Sequence, residues 1–265
     1  MSESDYSLLK LERSGYVAIL TLSRPDKLNA LNRDLVVEFH EALDEIGDDK
    51  NLRVLVITGE GRGFCSGADV RGQLQSLEGV VEPGDELRGP STTELGPHLR
   101  IIPQPVISAV NGIAAGAGLA ISLASDIRIA SEDAKFSCLF VKRSLVPDTA
   151  SSYTLPKLVG YGIAKEMALT GNIYDANWAL EKGLVNMVVP SESLMGEALN
   201  LAETIASNPP IAVRSIKRLI NEHEEELYTI LPKEHSANGP ATGSQDRMEA
   251  VRSFLEKRQP VYKDM

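Results

Sequence analysis

The chain has 265 residues, of which 43% are hydrophobic and 24% charged, and its formal net charge is −10. This length suits one large domain, or one domain with an appendage, and the acidic charge disfavours nucleic acid and anionic membranes as partners. No run of about 18 apolar residues predicts a transmembrane helix. The acidic start lacks the pattern of a secretory signal or transit peptide.

Cysteine and histidine usage points to a reducing compartment. Cys65 and Cys138 are too few for a disulfide scaffold, and the four histidines are scattered along the chain. Neither residue type shows a zinc-binding spacing. We therefore expect reduced thiols, a cytoplasmic location and no bound metal.

The first elements in chain order are a hairpin and a helix. Residues 6–22 contain two short apolar segments that break at Ser14-Gly15, which is typical of a β-hairpin. Asn32 is a candidate N-cap. The apolar residues that follow it at helical spacing are Leu35, Val36, Phe39, Leu43 and Ile46.

Two glycine-rich turns come next, each after an apolar strand. The turn at 61–69 follows a strand predicted at 52–58, and the turn at 111–118 follows one at 105–110. Small residues let a ligand approach the backbone closely. A helix opening after each turn would leave free N–H groups at its positive end. Two such groups that converge on one oxygen would form an oxyanion hole.

The rest of the chain predicts more strands and then mostly helices. Residues 71–100 show no clear period, which is typical of a lid or binding loop. Strands at 126–130 and 136–141 precede a turn at Asp148. Helices are expected at 118–124, 161–169, 175–182, 191–207, after Asn208 and at 245–257. We therefore predict an α/β core over residues 1–190. Residues 191–265 form a helical portion whose apolar faces suit packing on the core or on a second subunit.

Some motifs admit other interpretations. The spacing of the glycines in 111–118 does not fit the dinucleotide-binding fingerprint, and no P-loop sequence occurs. Residues 63–67 match a cysteine version of the nucleophile elbow, with Cys65 as nucleophile and His98, His223 or His235 as its base. Against this, Cys65 can be a small buried residue. Asp148 is either a functional acid or the N-cap of the next helix.

Seven different sequence motifs are spread over nearly the whole chain. They lie at residues 24–32, 63–69, 109–118, 123–127, 155–160, 164–171 and 176–185. Together they resemble the enoyl-CoA hydratase/isomerase (crotonase) superfamily. The resemblance implies a crotonase-type spiral of ββα units. It also implies that the helical region 191–265 serves trimerisation, giving a homotrimer or a dimer of trimers.

The same resemblance implies an acyl-CoA thioester substrate. Its enolate oxygen would be held by the backbone N–H groups of Ala68 and Ala117. Coenzyme A would enter as part of the substrate, with no permanently bound cofactor, and basic residues suit its phosphates. By resemblance, the residues that contact coenzyme A are Lys27, Leu28, Ser66, Ala68, Asp69, Val70, Arg71 and Lys257.

The chain departs from the hydratases of the family at two positions. Their two glutamates correspond to Ala120 and Phe140, and neither side chain can transfer a proton. Asp148 stands where some dienoyl-CoA isomerases, an epoxyphenylacetyl-CoA isomerase-type group and 4-chlorobenzoyl-CoA dehalogenase carry an aspartate. Residues 136–160 resemble the last two most. The dehalogenase's histidine and tryptophan correspond to Thr93 and Phe140, which disfavours hydrolytic dehalogenation.

We therefore predict an isomerase-type acyl-CoA enzyme in which Asp148 takes a proton from one carbon and returns it to another. Burial beside Leu139 and Phe140 would raise the pKa of Asp148 towards the range of a useful base. One alternative is nucleophilic attack by Asp148, which would give a covalent ester. The others are a hydratase that holds water with Asp148 and Glu94 or His98, and a non-catalytic acyl-CoA binder.

Overall fold

A computed structural model describes residues 6–69, 91–221 and 225–262 of the chain. The strands in these ranges are β1 Leu9–Ser14, β2 Val17–Leu22, β3 Val54–Gly59, β4 Gly63–Cys65, β5 Val106–Val110, β6 Ile113–Ala115, β7 Ile127–Ser131, β8 Lys135–Ser137, β9 Tyr174–Asp175 and β10 Met187–Val189. The α-helices are α1 Arg33–Asp48, α2 Leu95–Ile101, α3 Ala117–Ala124, α4 Ser151–Thr170, α5 Ala176–Glu181, α6 Leu194–Ala206, α7 Pro210–Asn221, α8 Glu225–Thr242 and α9 Gln245–Leu255.

The larger sheet of the described residues has the strand order β1-β2-β3-β5-β7-β10. β1 and β2 form the predicted hairpin, which turns at Gly15 with φ +57°. The neighbours from β2 to β10 pair in parallel. β3 and β5 are buried along their whole length, as expected of parallel strands covered on both faces.

The smaller sheet has the order β4-β6-β8-β9, in which β4, β6 and β8 run parallel. Successive units therefore give one strand to the larger sheet and the next strand to the smaller one. Helix α3 follows β5 and β6 in this way, and α4 follows β7 and β8. This α/β architecture confirms the predicted spiral of ββα units.

The glycine-rich segments are more ordered than the predicted turns. β4 lies inside the first segment and β6 inside the second, and these two strands pair in parallel. Sequence reasoning missed both because strands of three residues are too short to show alternation. Their pairing brings the two glycine segments side by side.

Helix α1 forms as predicted. The side-chain oxygen of Asn32 accepts a hydrogen bond from the Leu35 N–H at 3.2 Å, which caps the helix. The predicted apolar side chains of this helix are all buried in the main core, namely Leu35, Val36, Phe39, Leu43 and Ile46.

Two of the helices after residue 191, α6 and α7, differ in how far their apolar side chains are buried. Ala198, Ala202 and Ala206 of α6 are buried against the larger sheet, in one cluster with residues of β3 and β5. In α7, by contrast, the predicted apolar residues lie largely in solvent, with Ile211, Ile216, Leu219 and Ile220 between 55% and 74% exposed. The division of the chain at residue 190 stays a prediction, and α6 is the part of the C-terminal region that completes the core.

Three helices differ from the sequence-based prediction. α2 lies in the stretch 71–100, which was expected to be a loop and of which residues 71–90 lie outside the described residues. α4 spans Ser151–Thr170 with a kink at Gly160, whose φ of +77° is not helical. The helix predicted at 161–169 corresponds to the part after this kink, and the part that begins at Ser151 was not predicted. α8 was not predicted, because Pro232 and Gly239 within its span are poor helix formers. No helix within the described ranges is long and apolar enough to cross a membrane.

Candidate active site

The backbone N–H of Ala68, in the loop after β4, points away from Leu31, with which this loop pairs. Leu31 forms an isolated parallel bridge with Ala68, in which the Leu31 N–H donates to Gly67 O at 2.8 Å. The Asp69 N–H donates to Leu31 O at 2.9 Å. Because neighbouring N–H groups of extended backbone point to opposite sides, the Ala68 N–H faces away from Leu31. Among the described residues it has no backbone acceptor.

Ala117 occupies the equivalent place after β6, as the first residue of α3. The Gly116 N–H before it donates to Ser137 O at 3.0 Å, and Gly116 O accepts from the Ala120 N–H at 3.0 Å. The Ala117 N–H points out of the positive end of the helix, as the first N–H groups of a helix do. Within the described part of the chain it has no backbone acceptor either.

The two glycine turns touch through their backbones. Gly67 has φ +95°, and a Cβ added to it would lie 2.8 Å from Ala115 O and 3.5 Å from the Ala117 N. A Cβ added to Gly116 would lie 4.0 Å from the Cα of Gly67. Only glycine allows this approach. The structure therefore brings Ala68 and Ala117 together, beyond the ends of the paired strands β4 and β6 of the smaller sheet.

Asp148 lies in a turn directly before α4 and is half-buried. Its Oδ1 accepts a hydrogen bond from the Thr149 hydroxyl at 2.9 Å. Burial raises the pKa of Asp148 to about 6, and the nearby carboxylate of Glu234 adds to the rise, while the Thr149 hydroxyl opposes it. An aspartate with such a pKa is a base suited to neutral pH.

The interpretation of the Asp148 side chain as a helix N-cap is wrong. The N-cap of α4 is Ala150, and no side chain of its own turn caps the helix. Asp148 contributes its main-chain carbonyl instead, which accepts from the Ser151 N–H at 2.8 Å and from the Ser151 hydroxyl at 2.6 Å. The Asp148 carboxyl group therefore does not cap this helix.

Residues 137–139 connect the second glycine turn with Asp148. The Leu139 side chain would contact a Cβ on Gly116 at 3.8 Å. Burial raises the pKa of the Cys138 thiol to about 12, and the Asp148 carboxylate contributes to that rise. Asp148 is therefore close enough to Cys138 for its charge to act on the thiol, and the neighbours of Cys138, Ser137 and Leu139, lie against Gly116 of the second glycine turn.

The positions that correspond to the hydratase glutamates are buried and apolar. Ala120 is 1% exposed and Phe140 is 4% exposed, and both belong to the buried core. The two candidates for a second water-binding group have other partners. Glu94 closes a capping box with Ser91, whose N–H donates to it at 3.0 Å. His98 lies 3.2 Å from the Asp44 carboxylate and 2.8 Å from the His40 ring.

The nucleophile-elbow interpretation of Cys65 is wrong. Cys65 is fully buried, and its burial raises the thiol pKa to about 12, so the thiolate is not formed at neutral pH. His98 is paired with His40, and His235 is exposed on α8. His223 lies outside the described residues.

The segment 24–31 lies beside the first glycine turn, where the coenzyme A contacts were expected. The Ser66 N–H donates to Leu28 O at 3.0 Å, and the Ser66 hydroxyl donates to Lys27 O at 3.3 Å. Arg24, which sequence reasoning did not single out, pairs with the Asp69 carboxylate at 3.1 Å. Lys27, Leu28, Ser66, Ala68 and Asp69 are thus brought together.

The structure does not place the other three predicted contacts in this group. Val70 and Arg71 lie outside the described residues. Lys257 is exposed and follows the end of α9 rather than lying on it. A cavity of about 680 Å³ lies elsewhere, lined mainly by residues of α4, α7 and the start of β7, and neither glycine turn borders it. In the described chain no group of three or more His, Cys, Asp or Glu residues could hold a metal ion.

Sequence reasoning also missed Glu234 and Asn238 of α8. Both bind the backbone of the segment that carries Asp148, from 82 to 92 residues further along the chain. No local pattern could have found them, because the helix that carries them was not itself predicted.

Comparison with known proteins shows the family to which the chain belongs. The family model described as enoyl-CoA hydratase/isomerase matches residues 12–265. The chain is 38% identical over 250 residues to 1,2-epoxyphenylacetyl-CoA isomerase of Escherichia coli (strain K12), covering 93% of this chain and 94% of the relative. It is 36% identical over 252 residues to the short-chain-enoyl-CoA hydratase of Clostridium acetobutylicum, covering 94% of each.

Among solved structures, an enoyl-CoA hydratase/isomerase from Pseudoalteromonas atlantica T6c superposes with a TM-score of 0.88 at 34% identity, covering 97% of this chain and 100% of that one. A carnitinyl-CoA hydratase from Mycobacterium avium gives a TM-score of 0.84 at 34% identity, covering 97% and 99%. The family model, the sequence similarity and the fold agree, and the chain belongs to the enoyl-CoA hydratase/isomerase family of the crotonase superfamily.

Proposed function

We propose that this acyl-CoA enzyme is of the isomerase type, with Asp148 as the single group that moves the proton. The observation that carries the proposal is the half-buried Asp148, with a pKa raised to about 6, in a chain whose positions 120 and 140 hold no carboxylate. An isomerisation consumes no water and needs one base that can return its proton. A hydration needs a second group to hold and activate water.

In the proposed mechanism the thioester carbonyl oxygen accepts hydrogen bonds from the Ala68 and Ala117 N–H groups. The Asp148 carboxylate takes a proton from the carbon next to the carbonyl or from its vinylogous position. The electron pair of that C–H bond moves into the conjugated system, and negative charge develops on the oxygen. Backbone donors and the positive end of α3 stabilise that charge. The protonated Asp148 then delivers a proton to a carbon two or four positions away, where the conjugated anion also carries electron density.

We also propose that coenzyme A lies along the paired segments 24–31 and 66–69. Lys27, Leu28, Ser66, Ala68 and Asp69 would contact it, as expected from the resemblance, together with Val70, Arg71 and Lys257. The support is the direct contact of Ser66 with Lys27 and Leu28. Coenzyme A belongs to the substrate in this proposal, and no permanent cofactor takes part.

The test is a panel of thioesters incubated with the protein in deuterium oxide and analysed by mass spectrometry. The panel contains crotonyl-, 3-enoyl-, dienoyl-, phenylacetyl-derived and halobenzoyl-CoA. We expect deuterium uptake or movement of a double bond without addition of water. A gain of one water would identify hydration or ring hydrolysis, and replacement of halogen by hydroxyl would identify hydrolytic dehalogenation. Binding without chemical change would identify a non-catalytic binder.

The role of Asp148 is tested with Asp148→Asn, which keeps the shape of the side chain and removes the base. We expect turnover to fall by about 10²-fold or more while acyl-CoA still binds. Nucleophilic catalysis by Asp148 would also fail in this variant. Turnover in ¹⁸O-labelled water separates the two routes, because hydrolysis of a covalent ester places ¹⁸O in Asp148 of the wild type.

We further propose that the chain assembles as a homotrimer or a dimer of trimers. The support is the row of exposed apolar side chains on α7, among them Ile211, Ile216 and Ile220, which a partner subunit would bury. Light scattering after size-exclusion chromatography gives the subunit number directly. The cytoplasmic location stays a prediction.

A further inference from the structure

Glu234 of α8 accepts hydrogen bonds from one side of the turn that carries Asp148. The Ala150 N–H donates to Glu234 Oε2 and the Ser152 N–H to Oε1, each at 3.0 Å. The Ser152 hydroxyl donates to Oε1 as well. Glu234 is 6% exposed, and these three donors satisfy a carboxylate that would otherwise be costly to bury.

The other side of the turn is held by the same helix. The Val146 N–H donates to Asn238 Oδ1 at 3.0 Å. Asn238 and Glu234 are four residues apart, so both lie on one face of α8. Asp148 therefore lies midway in sequence between Val146 and Ala150, and the backbone N–H groups of both residues bind side chains of α8.

The turn needs such support because its backbone is strained. Thr149 has φ +54° and Ala150 has φ +62°, two consecutive left-handed conformations at residues other than glycine. Their surroundings must hold them there. Glu234 does so by capping α4, where its charge also meets the positive end of the helix. α2 contributes from another side, since a Cβ on Gly96 would lie 2.4 Å from Thr149 O.

The charge of Glu234 also affects the pKa of Asp148. Its carboxylate adds to the effect of burial in raising the pKa of Asp148. The Thr149 hydroxyl donates to the Asp148 carboxyl and opposes this rise. The nearby Cys138 thiol stays neutral, because burial and the charge of Asp148 raise its own pKa to about 12. Burial raises the pKa of Glu234 itself.

We propose that Glu234, together with Asn238, is a positioning residue for catalysis, which fixes the backbone on both sides of Asp148 and thereby aims its carboxylate at the substrate. The inference rests on the proposed role of Asp148 as the base. It assigns the C-terminal helix α8 a part in the reaction that is separate from any part in subunit association.

The experiment compares Glu234→Gln, Glu234→Asp and Asn238→Ala with the wild type. The matched control is Glu203→Gln, the same change at an exposed glutamate of α6. For each variant kcat and KM are measured across pH, with the panel thioester that the wild type converts fastest. Circular dichroism and thermal unfolding establish that each variant is folded.

We expect Glu234→Gln to lower kcat about 10- to 100-fold, because small displacements of a reacting group have effects of this size, while KM changes little. The acidic limb of its kcat/KM profile should move to lower pH, since a negative charge near Asp148 is removed. Asn238→Ala should lower kcat without moving that limb. Glu234→Asp keeps the charge, so the limb should stay at its wild-type pH. Glu203→Gln should match the wild type.

A folded Glu234→Gln with wild-type kcat and an unmoved acidic limb would overturn the inference. If that variant does not fold, Asn238→Ala and Glu234→Asp decide, and wild-type kcat in both would overturn it equally. Asp148→Asn keeps the two proposals apart. Full activity of Asp148→Asn removes the proposed function, whereas an inactive Asp148→Asn beside an unchanged Glu234→Gln removes only this inference.

Discussion

The Cα of Gly118 lies so close to Cys65 that a Cβ added to it would be 2.0 Å from the Cys65 carbonyl oxygen. Cys65 ends β4 and Gly118 is the second residue of α3, so this contact joins the two glycine segments backbone to backbone. Ala68 and Ala117 follow and precede these residues by only a few positions. Their spacing therefore depends on a contact that only glycine permits.

Replacing Gly118 by alanine should destabilise the protein and disturb the site together. The added Cβ would meet a main-chain oxygen that cannot rotate away, so we expect a cost of about 3 kcal/mol, the upper end for overpacking. Denaturant unfolding measures the loss, and turnover of the thioester panel should fall with it. The matched control is Gly196→Ala in α6, where nothing lies within 4 Å of the added Cβ. That variant should be as stable as the wild type or more so.

The pH dependence of turnover should follow Asp148. Its pKa is raised to about 6, mainly by burial, and the carboxylate is the form that takes a proton from the substrate. We therefore expect kcat/KM to rise with pH and to level off above about pH 6 to 7. Stopped assays between pH 4.5 and 8.5 measure the profile. A profile that levels off near pH 4 would show that the rate-limiting base is an ordinary exposed carboxylate.

Asp148→Asn should be more stable than the wild type at neutral pH. The pKa of Asp148 is about 6 in the folded chain, against an ordinary value of 3.8 for an aspartate, so the folded state resists ionisation. As the pH rises from about 4 through 6, the wild type loses stability that an asparagine keeps. The gain is about 1 to 3 kcal/mol at pH 7, and it should vanish near pH 3.5. An equal difference at both pH values would contradict the assignment.

A buried lysine should fix α7 to the core. Lys217 is 8% exposed, and its ammonium group binds the Asp126 carboxylate at 3.0 Å and the Gln104 carbonyl at 2.9 Å. Lys217→Ala would leave the Asp126 charge without this partner, so we expect a loss of about 3 kcal/mol. The exposed pair of Lys182 with Glu181 provides the control, because Lys182→Ala should cost about 0.5 kcal/mol or less.

Much of the fold could be predicted from local sequence alone. The hairpin with its turn at Gly15 and the helix α1 with its Asn32 cap are each fixed by neighbours within a few residues. The buried strands β3 and β5 are apolar on both faces, which the sequence displays directly. Resemblance to the family then implied how these pieces are arranged.

What the sequence by itself determined were the elements, the glycine segments and the presence of an acid at 148. Only the tertiary structure decided what that acid does locally, because its surroundings come from distant parts of the chain. The α4 cap that Asp148 was a candidate to provide comes instead from Glu234, 82 residues after Ser152. Burial, which raises the pKa of Asp148, is likewise a property of packing. A carboxyl group's proton affinity depends on the charges and solvent around it, and those neighbours are set by the fold rather than by adjacent residues.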